Sequence, residues 1–183
     1  AAHQSTGRGR QGRPWVSARE MGVYLTHVEW VAQVPNPLTL APLAVGCGVA
    51  DWLNTLGLNV QLKWPNDLRV ERAKVGGVLC EVRSNALLVG VGVNWFDAPE
   101  LEEQQTTYVQ AHRSSRIELA EAQSGLHNAV TQVFSWWRQH GNDALRQRWW
   151  GLVERGWVSS GGLVGESLGL TEDGALQLRD EAG

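Results

Sequence analysis

KWPNDLRVERAKVGGVLCEVRSNALLVGVGVNWF, residues 63–96, is the stretch whose reading sets the fold. LRV (68–70) and KVGGVLCEVR (74–83) are separated by the charged turn ERA, and SNA (84–86) separates the second run from LLVGVGVNWF (87–96). Short runs rich in branched residues, punctuated by tight turns, predict an antiparallel meander. Its central strands carry apolar residues on both faces, so both faces need cover. NVQLKW (59–64) predicts a short strand ahead of the meander, running into the turn PNDL, where proline and the Asn-Asp pair favour reversal.

Upstream, GVYLTHVEW (22–30) alternates and predicts another strand, which the prolines of VPNPL break. A helix follows, with Thr39 as its cap, Leu40, Leu43, Ala44, Cys47, Ala50 and Leu53 at helical spacing, and Gly57 as its stop. Downstream, residues 97–112 lack periodicity and predict a long mobile loop. A capping box of Ser115 with Glu118 then opens a helix whose apolar face is Leu119, Leu126, Val130, Val133 and Trp137, and Gly141 ends it. A shorter helix over 144–152 leads to GLVGESLGLTEDGALQL (162–178), two β runs about the turn TEDG.

With 183 residues, the chain fits one compact domain with a small appendage. No apolar run is long enough to span a bilayer, and AAHQSTGRGR is no secretory leader, which predicts a soluble cytoplasmic protein. The net charge of -3 argues against a general polyanion binder, so no nucleic-acid partner is expected. Cys47 and Cys80 read as small buried hydrophobes of a reducing compartment. Of the 10 tryptophans, Trp136, Trp137, Trp149 and Trp150 are assigned to structure, because large aromatics supply apolar burial.

Three stretches can carry chemistry. GRGRQGRPW (7–15) combines glycines, which let a backbone approach a ligand, with arginine forks matched to carboxylate and phosphate, and with Trp15 as a flat surface for a ring. A solvated basic turn accounts for the same composition equally well. In KWPND (63–67), a lysine stiffened by Trp64 and Pro65 could fix a charge between reacting groups, although each half of the motif alone is ordinary turn chemistry. KVGGVLCE and GVGVN offer Lys74, Gly76, Gly77, Gly90, Gly92 and Asn94, either as the floor of a narrow pocket or as the seat of a close-packed helix. His3, His27, His112, His127 and His140 show neither metal-ligand spacing nor a neighbouring nucleophile motif.

Taken in order, GRGRQGRPW, KWPNDL, KVGGVLCEV and GVGVN resemble the catalytic domain of biotin protein ligases. The resemblance implies an α+β fold of the class II synthetase-like, biotin/lipoate ligase type: a mixed, largely antiparallel sheet with helices on one face. It also implies a small SH3-like β module at the C-terminus. Residues 1–152 would form the catalytic domain and 153–183 an incomplete C-terminal domain. The family's strand and helix before the glycine loop, with a Ser/Thr-Asn signature at biotin, are expected upstream of Ala1.

By the same resemblance, biotin would be activated by ATP with Mg2+ to an adenylate, then passed to a lysine of a biotin carboxyl carrier protein domain, by a monomer or homodimer. Lys63 would bridge the biotin carboxylate and the α-phosphate, and Arg8 and Arg10 would handle the charge of both. Gln4 and Gly7 would touch biotin, Gly90 and Gly92 would border it, and Gly77 would belong to the strand beneath. Trp15 would lie against adenine, Asn94 would stand near the polyphosphate and its magnesium, and residues 97–112 would close over the adenylate. Two relatives of the fold are the alternatives: a lipoyl or octanoyl ligase, whose Ser-Gly-Gly-Gly run is absent here, and a biotin-sensing repressor, whose DNA-binding domain is not in this chain.

Overall fold

The computed structural model describes residues 3–102, 104–160 and 163–180. Strand β1 (Gly22–Trp30) leads through two short 3-10 turns to helix α1 (Ala41–Thr55), and β2 (Val60–Lys63), β3 (Asp67–Val70), β4 (Ala73–Arg83) and β5 (Ala86–Asn94) follow. Helix α2 (Leu119–Leu152) then precedes β6 (Trp157–Ser160), β7 (Leu163–Leu170) and β8 (Leu176–Arg179). The first five strands form one sheet in the order β1-β5-β4-β3-β2, and the last three form a second. Every named pair is antiparallel, as the meander predicts; parallel pairing is confined to the isolated bridges Leu62–Val153 and Lys74–Thr106.

Directly opposed residues of an antiparallel pair point to the same face, so the register sorts the side chains. Leu62, Leu68, Gly76, Val93 and Val23 form one row across all five strands, and its four apolar side chains are buried beneath the helices. The adjacent row, Lys63, Asp67, Gly77, Gly92 and Tyr24, faces the other way. Only one side of the sheet therefore carries helices, and the other is left for the N-terminal loop.

Helix α1 stops as expected. Gly57 takes φ 91°, its N–H donates to the Asn54 carbonyl at 3.0 Å, and the Leu58 N–H reaches back to Leu53 at 3.4 Å, the paired bonds of a Schellman ending. Its start corrects the reading of Thr39 as a cap. The 3-10 turn Leu38–Leu40 feeds directly into the helix, Pro42 sits in the first turn, and the Thr39 hydroxyl donates instead to the Asp173 carbonyl at 2.6 Å. The capping box at α2 is also absent. Glu118 occupies the N-cap without a side-chain cap, because its carboxylate pairs with Arg116 at 2.7 Å, while the Ser115 hydroxyl accepts from Arg113 at 2.9 Å. Gly141, at φ 79°, breaks α2 where the sequence places a boundary, so two helical pieces meet at a kink.

The core is aliphatic at the sheet and aromatic between the helices. Trp95, Trp137 and Phe134 are fully buried, Trp149 is nearly so, and Trp136 and Trp150 pack against the same core. Burial pushes both cysteine thiols up to about 12, consistent with apolar packing. Among the described residues no helix is long and apolar enough to cross a membrane. The two helices cross closely at Gly48, where a methyl group would lie 2.7 Å from the Val133 Cβ and 3.0 Å from the Ala129 carbonyl. Gly48→Ala should therefore destabilise the protein by about 1–3 kcal/mol through overpacking, read as a lower urea midpoint at unchanged slope.

Candidate active site

The arginine loop is a miniature hairpin. The Trp15 N–H donates to Gly7 at 2.9 Å, the Gly9 N–H to Arg13 at 2.7 Å, and Arg8 bridges Pro14 between them. Its tip, Arg10–Gly12, turns through left-handed backbone at Gln11 (φ 56°) and Gly12 (φ 73°). Gly7 is needed where the two arms close, since a methyl group there would lie 2.5 Å from the Trp15 carbonyl and 3.4 Å from the Gln4 side-chain oxygen. Gln4 is tied to the far arm by its own N–H and carbonyl, each bonded to the Ser17 hydroxyl at 3.1 Å. Ser17 in turn hydrogen-bonds Tyr24, whose phenol is pushed up by burial and drawn partly back by that bond.

Trp15 carries this loop onto the open face of the sheet. Gly77 and Gly92 are directly opposed on β4 and β5. A methyl group on Gly92 would lie 2.5 Å from the indole ring, and one on Gly77 would lie 3.4 Å from it. The missing side chains are thus the seat of a tryptophan, not of a helix. The Lys74 ammonium stands 5.6 Å from the ring centroid and pairs with Asp67 at 2.7 Å. The indole Nε1 is buried and has no partner among the described residues.

The surrounding positions differ sharply in freedom. Gly90, two residues along β5 and on the same face, would place a methyl group no closer than 3.5 Å to any described atom, so the floor there is open. Asn94, two residues the other way, is buried, and its amide donates to the Thr107 carbonyl at 3.0 Å and the Lys74 carbonyl at 3.5 Å. Lys74 also exchanges backbone bonds with Gln105 and Thr107. Residues 105–107 consequently extend the sheet beside the site, and their attachment through Asn94 and Lys74 was not visible in the sequence. Asn66 serves the scaffold, bonding Val78 through both its backbone carbonyl and its side-chain amide.

Lys63 ends β2 in the same cross-strand row, half-buried. Two strand spacings separate it from Gly77, roughly 10 Å. Asp67, its neighbour in register, is engaged by Lys74. Among the described residues, the lysine and arginine side chains without a hydrogen-bond or ion-pair partner are Arg8, Arg10, Arg13, Arg19 and Lys63, out of 16 in the chain. Four of these free cations belong to the N-terminal loop, and the fifth stands in the row the loop covers. The arrangement is a side-chain-free floor with an aromatic wall and a concentration of uncompensated positive charge. It suits an elongated ligand with a flat head and an anionic end.

The model of the biotin/lipoate A/B protein ligase family matches residues 1–95. A biotin--[acetyl-CoA-carboxylase] ligase of Mycobacterium tuberculosis is 38% identical over 105 residues, which take in 55% of this chain and 40% of that protein. A bifunctional ligase/repressor of Bacillus subtilis is 26% identical over 203 aligned residues, covering 100% of this chain and 61% of the relative. The chain thus spans less than two thirds of either curated relative's length. Among solved structures, a biotin protein ligase from Aquifex aeolicus in complex with biotin and ATP superposes with a TM-score of 0.85 at 25% identity, covering 100% of this chain and 81% of that one.

The contrast between the glycines gives a direct check. Gly92→Ala should unseat Trp15 and expose the loop, raising the rate of tryptic cleavage after Arg8 or Arg10 about tenfold; Gly90→Ala, which has room for its methyl group, should cleave at the wild-type rate.

Proposed function

Because the chain belongs to the biotin/lipoate A/B protein ligase family, we propose that it activates biotin with ATP to biotinyl-5'-AMP and transfers biotin to a lysine of a biotin carboxyl carrier protein domain. The observation that carries this reading is the row in which free Lys63 stands roughly 10 Å from the glycine pair on which the arginine loop's Trp15 rests. A fused bicycle needs a floor without side chains. Its four-methylene arm then carries the carboxylate across two strand spacings to the lysine.

In the first step a carboxylate oxygen attacks the α-phosphorus of ATP, the bond to the β-phosphate breaks, and pyrophosphate leaves. Two anions must be brought together, and negative charge builds on the α-phosphate oxygens as they react. Lys63, fixed at the end of β2, would sit between them and stabilise that charge, and the unpaired guanidinium groups of Arg8 and Arg10 would take the carboxylate and phosphate oxygens. Magnesium screens the triphosphate and eases pyrophosphate departure. It would travel on the nucleotide phosphates, with Asn94 near them. In the second step the neutral amine of the carrier lysine attacks the biotinyl carbonyl and AMP leaves with the bonding pair.

Gln4 and Gly7 would border biotin from the loop and Gly90 from the open part of the sheet, and Gly77 and Gly92, which seat Trp15, would border it once the loop rearranges around the ligand. Trp15, with one side resting on Gly77 and Gly92, would form the wall shared by biotin and the nucleotide. Residues 105–107, held by Asn94 and Lys74, would help to shield the adenylate from water. On this reading residues 1–152 form the catalytic domain and 153–183 the small β domain, and the protein works in the cytoplasm.

The deciding experiment combines the protein with biotin, MgATP and a carrier domain and weighs the carrier by intact mass spectrometry. A biotin-sized increase that requires ATP is expected. Absence of biotin-dependent pyrophosphate release, with release supported by octanoate instead, would transfer the chain to the lipoyl side of the family. Lys63→Ala should slow adenylate formation about a hundredfold while ATP affinity changes far less, and equal losses in both would remove Lys63 from the transition state.

A further inference from the structure

β2 is an edge strand of four residues, hydrogen-bonded to the sheet only through β3, and Lys63 is its last residue. A catalytic lysine at the end of so short an edge would fray with it. Its outer side, however, is held by the C-terminal part of the chain. The Glu154 N–H donates to the Leu62 carbonyl at 2.9 Å, and the Glu154 carboxylate takes Arg69 of β3 at 2.8 Å and Arg72 at 3.2 Å. One residue past Lys63, the Trp64 indole N–H donates to the Gly174 carbonyl at 3.0 Å.

The turn that supplies Gly174 is braced from within. Thr171 accepts from the Gly174 N–H at 3.0 Å, donates its own N–H to the Ala175 carbonyl at 2.9 Å, and receives the Ala175 N–H on its hydroxyl at 2.9 Å. That hydroxyl also bonds the Asp173 carboxylate, which holds the carboxyl below its ordinary range. Two successive carbonyls, those of Asp173 and Gly174, face outward, to the Thr39 hydroxyl and the Trp64 indole. Gly174 has φ 84°, and a methyl group on it would lie 2.8 Å from Leu40 and 3.1 Å from Leu43, so the turn is seated directly on the start of α1.

We propose that residues 171–175 are a positioning element for Lys63, acting through the Trp64–Gly174 hydrogen bond, so that the C-terminal sheet takes part in the first chemical step. What Lys63 does rests on the function proposed above; that the turn holds it does not.

The chain has two lysines, Lys63 and Lys74, and Lys74 is paired with Asp67, so it serves as an internal reference. Trp64→Phe keeps an aromatic ring and removes the donor. Brief acetylation with peptide mass analysis should show the Lys63 to Lys74 labelling ratio rising about threefold or more in Trp64→Phe; an unchanged ratio overturns the proposal, whatever substrate the protein takes. In pyrophosphate release, Trp64→Phe should lower kcat about tenfold with the KM for ATP nearly unchanged. In a Lys63→Ala background the same substitution should cost nothing further. Thr39→Ser should keep the wild-type kcat and Thr39→Val should lose it. Additive losses in the Lys63 and Trp64 pair, or a uniform fall in all constants together with the melting temperature, would reduce Trp64 to a packing residue. A wild type that releases pyrophosphate with octanoate alone would overturn the biotin reading and leave the labelling ratio to decide the positioning role.

Discussion

Two glycines opposed on neighbouring strands let an indole rest on bare backbone, and the site is built outward from that contact. A side chain on Gly92 would meet the Trp15 ring at 2.5 Å, so the tryptophan could not descend and the arginine hairpin would lose its anchor on the sheet. With Trp15 in place, the hairpin closes through Gly7, and Gln4 and Ser17 join the segments on either side of it. The loop has no apolar residue of its own in the core, since Trp15 is half-buried and its arginines are exposed. Its placement therefore depends on one aromatic contact and a few backbone bonds, which is compatible with a loop that must rearrange around a ligand.

Charge is distributed by the same logic. Eleven of the 16 basic side chains have partners among the described residues, some in exposed ion pairs such as Arg83–Glu81 and Arg116–Glu118 and some in more buried ones such as Arg138–Glu29. Pairing Asp67 with Lys74 matters most for the site, because it removes the carboxylate opposite Lys63 from competition for that ammonium. The Lys63 ammonium is thereby left without a competing partner, and the same pair places a second ammonium over the Trp15 ring. Specific neutralisation of one carboxylate thus allows a chain of net charge -3 to present a cationic site.

Much of this was legible in the sequence because it is local. The meander, the strand at 22–30, the Gly57 stop and the Gly141 break follow from turn chemistry and periodicity over a few residues, and all of them recur in the structure. The misread helix starts have a common cause. Thr39 and Ser115 have the right chemistry for caps, but each hydroxyl found a partner elsewhere: Asp173, 134 residues away, in one case and Arg113 in the other. Local propensity cannot register a competitor that arrives by tertiary folding, as Asp173 does for Thr39, and for Ser115 it overlooked an arginine side chain two residues away. The site divides in the same way. Its residue types were apparent from four motifs, whereas the seating of Trp15 on Gly77 and Gly92, the Asp67–Lys74 pair and the clip of Asn94 to Thr107 depend on register between strands.

The edge position of β2 resolves a conflict between access and rigidity. In the role proposed for Lys63, a lysine that meets two anionic substrates has to lie near the rim, where a sheet is least constrained, yet a displacement of about 1 Å at a reacting centre can cost a hundredfold in rate. Adding another strand beside β2 would stiffen it at the expense of the opening. The fold instead holds the strand from the side with the Val153 bridge and Glu154, and from beyond its end with a turn seated on α1. Those contacts constrain the backbone on either side of Lys63 without covering its side chain, which remains half-buried and unpaired. The C-terminal sheet lies more than 90 residues further along the chain, but mechanically it completes the edge on which the proposed chemistry depends.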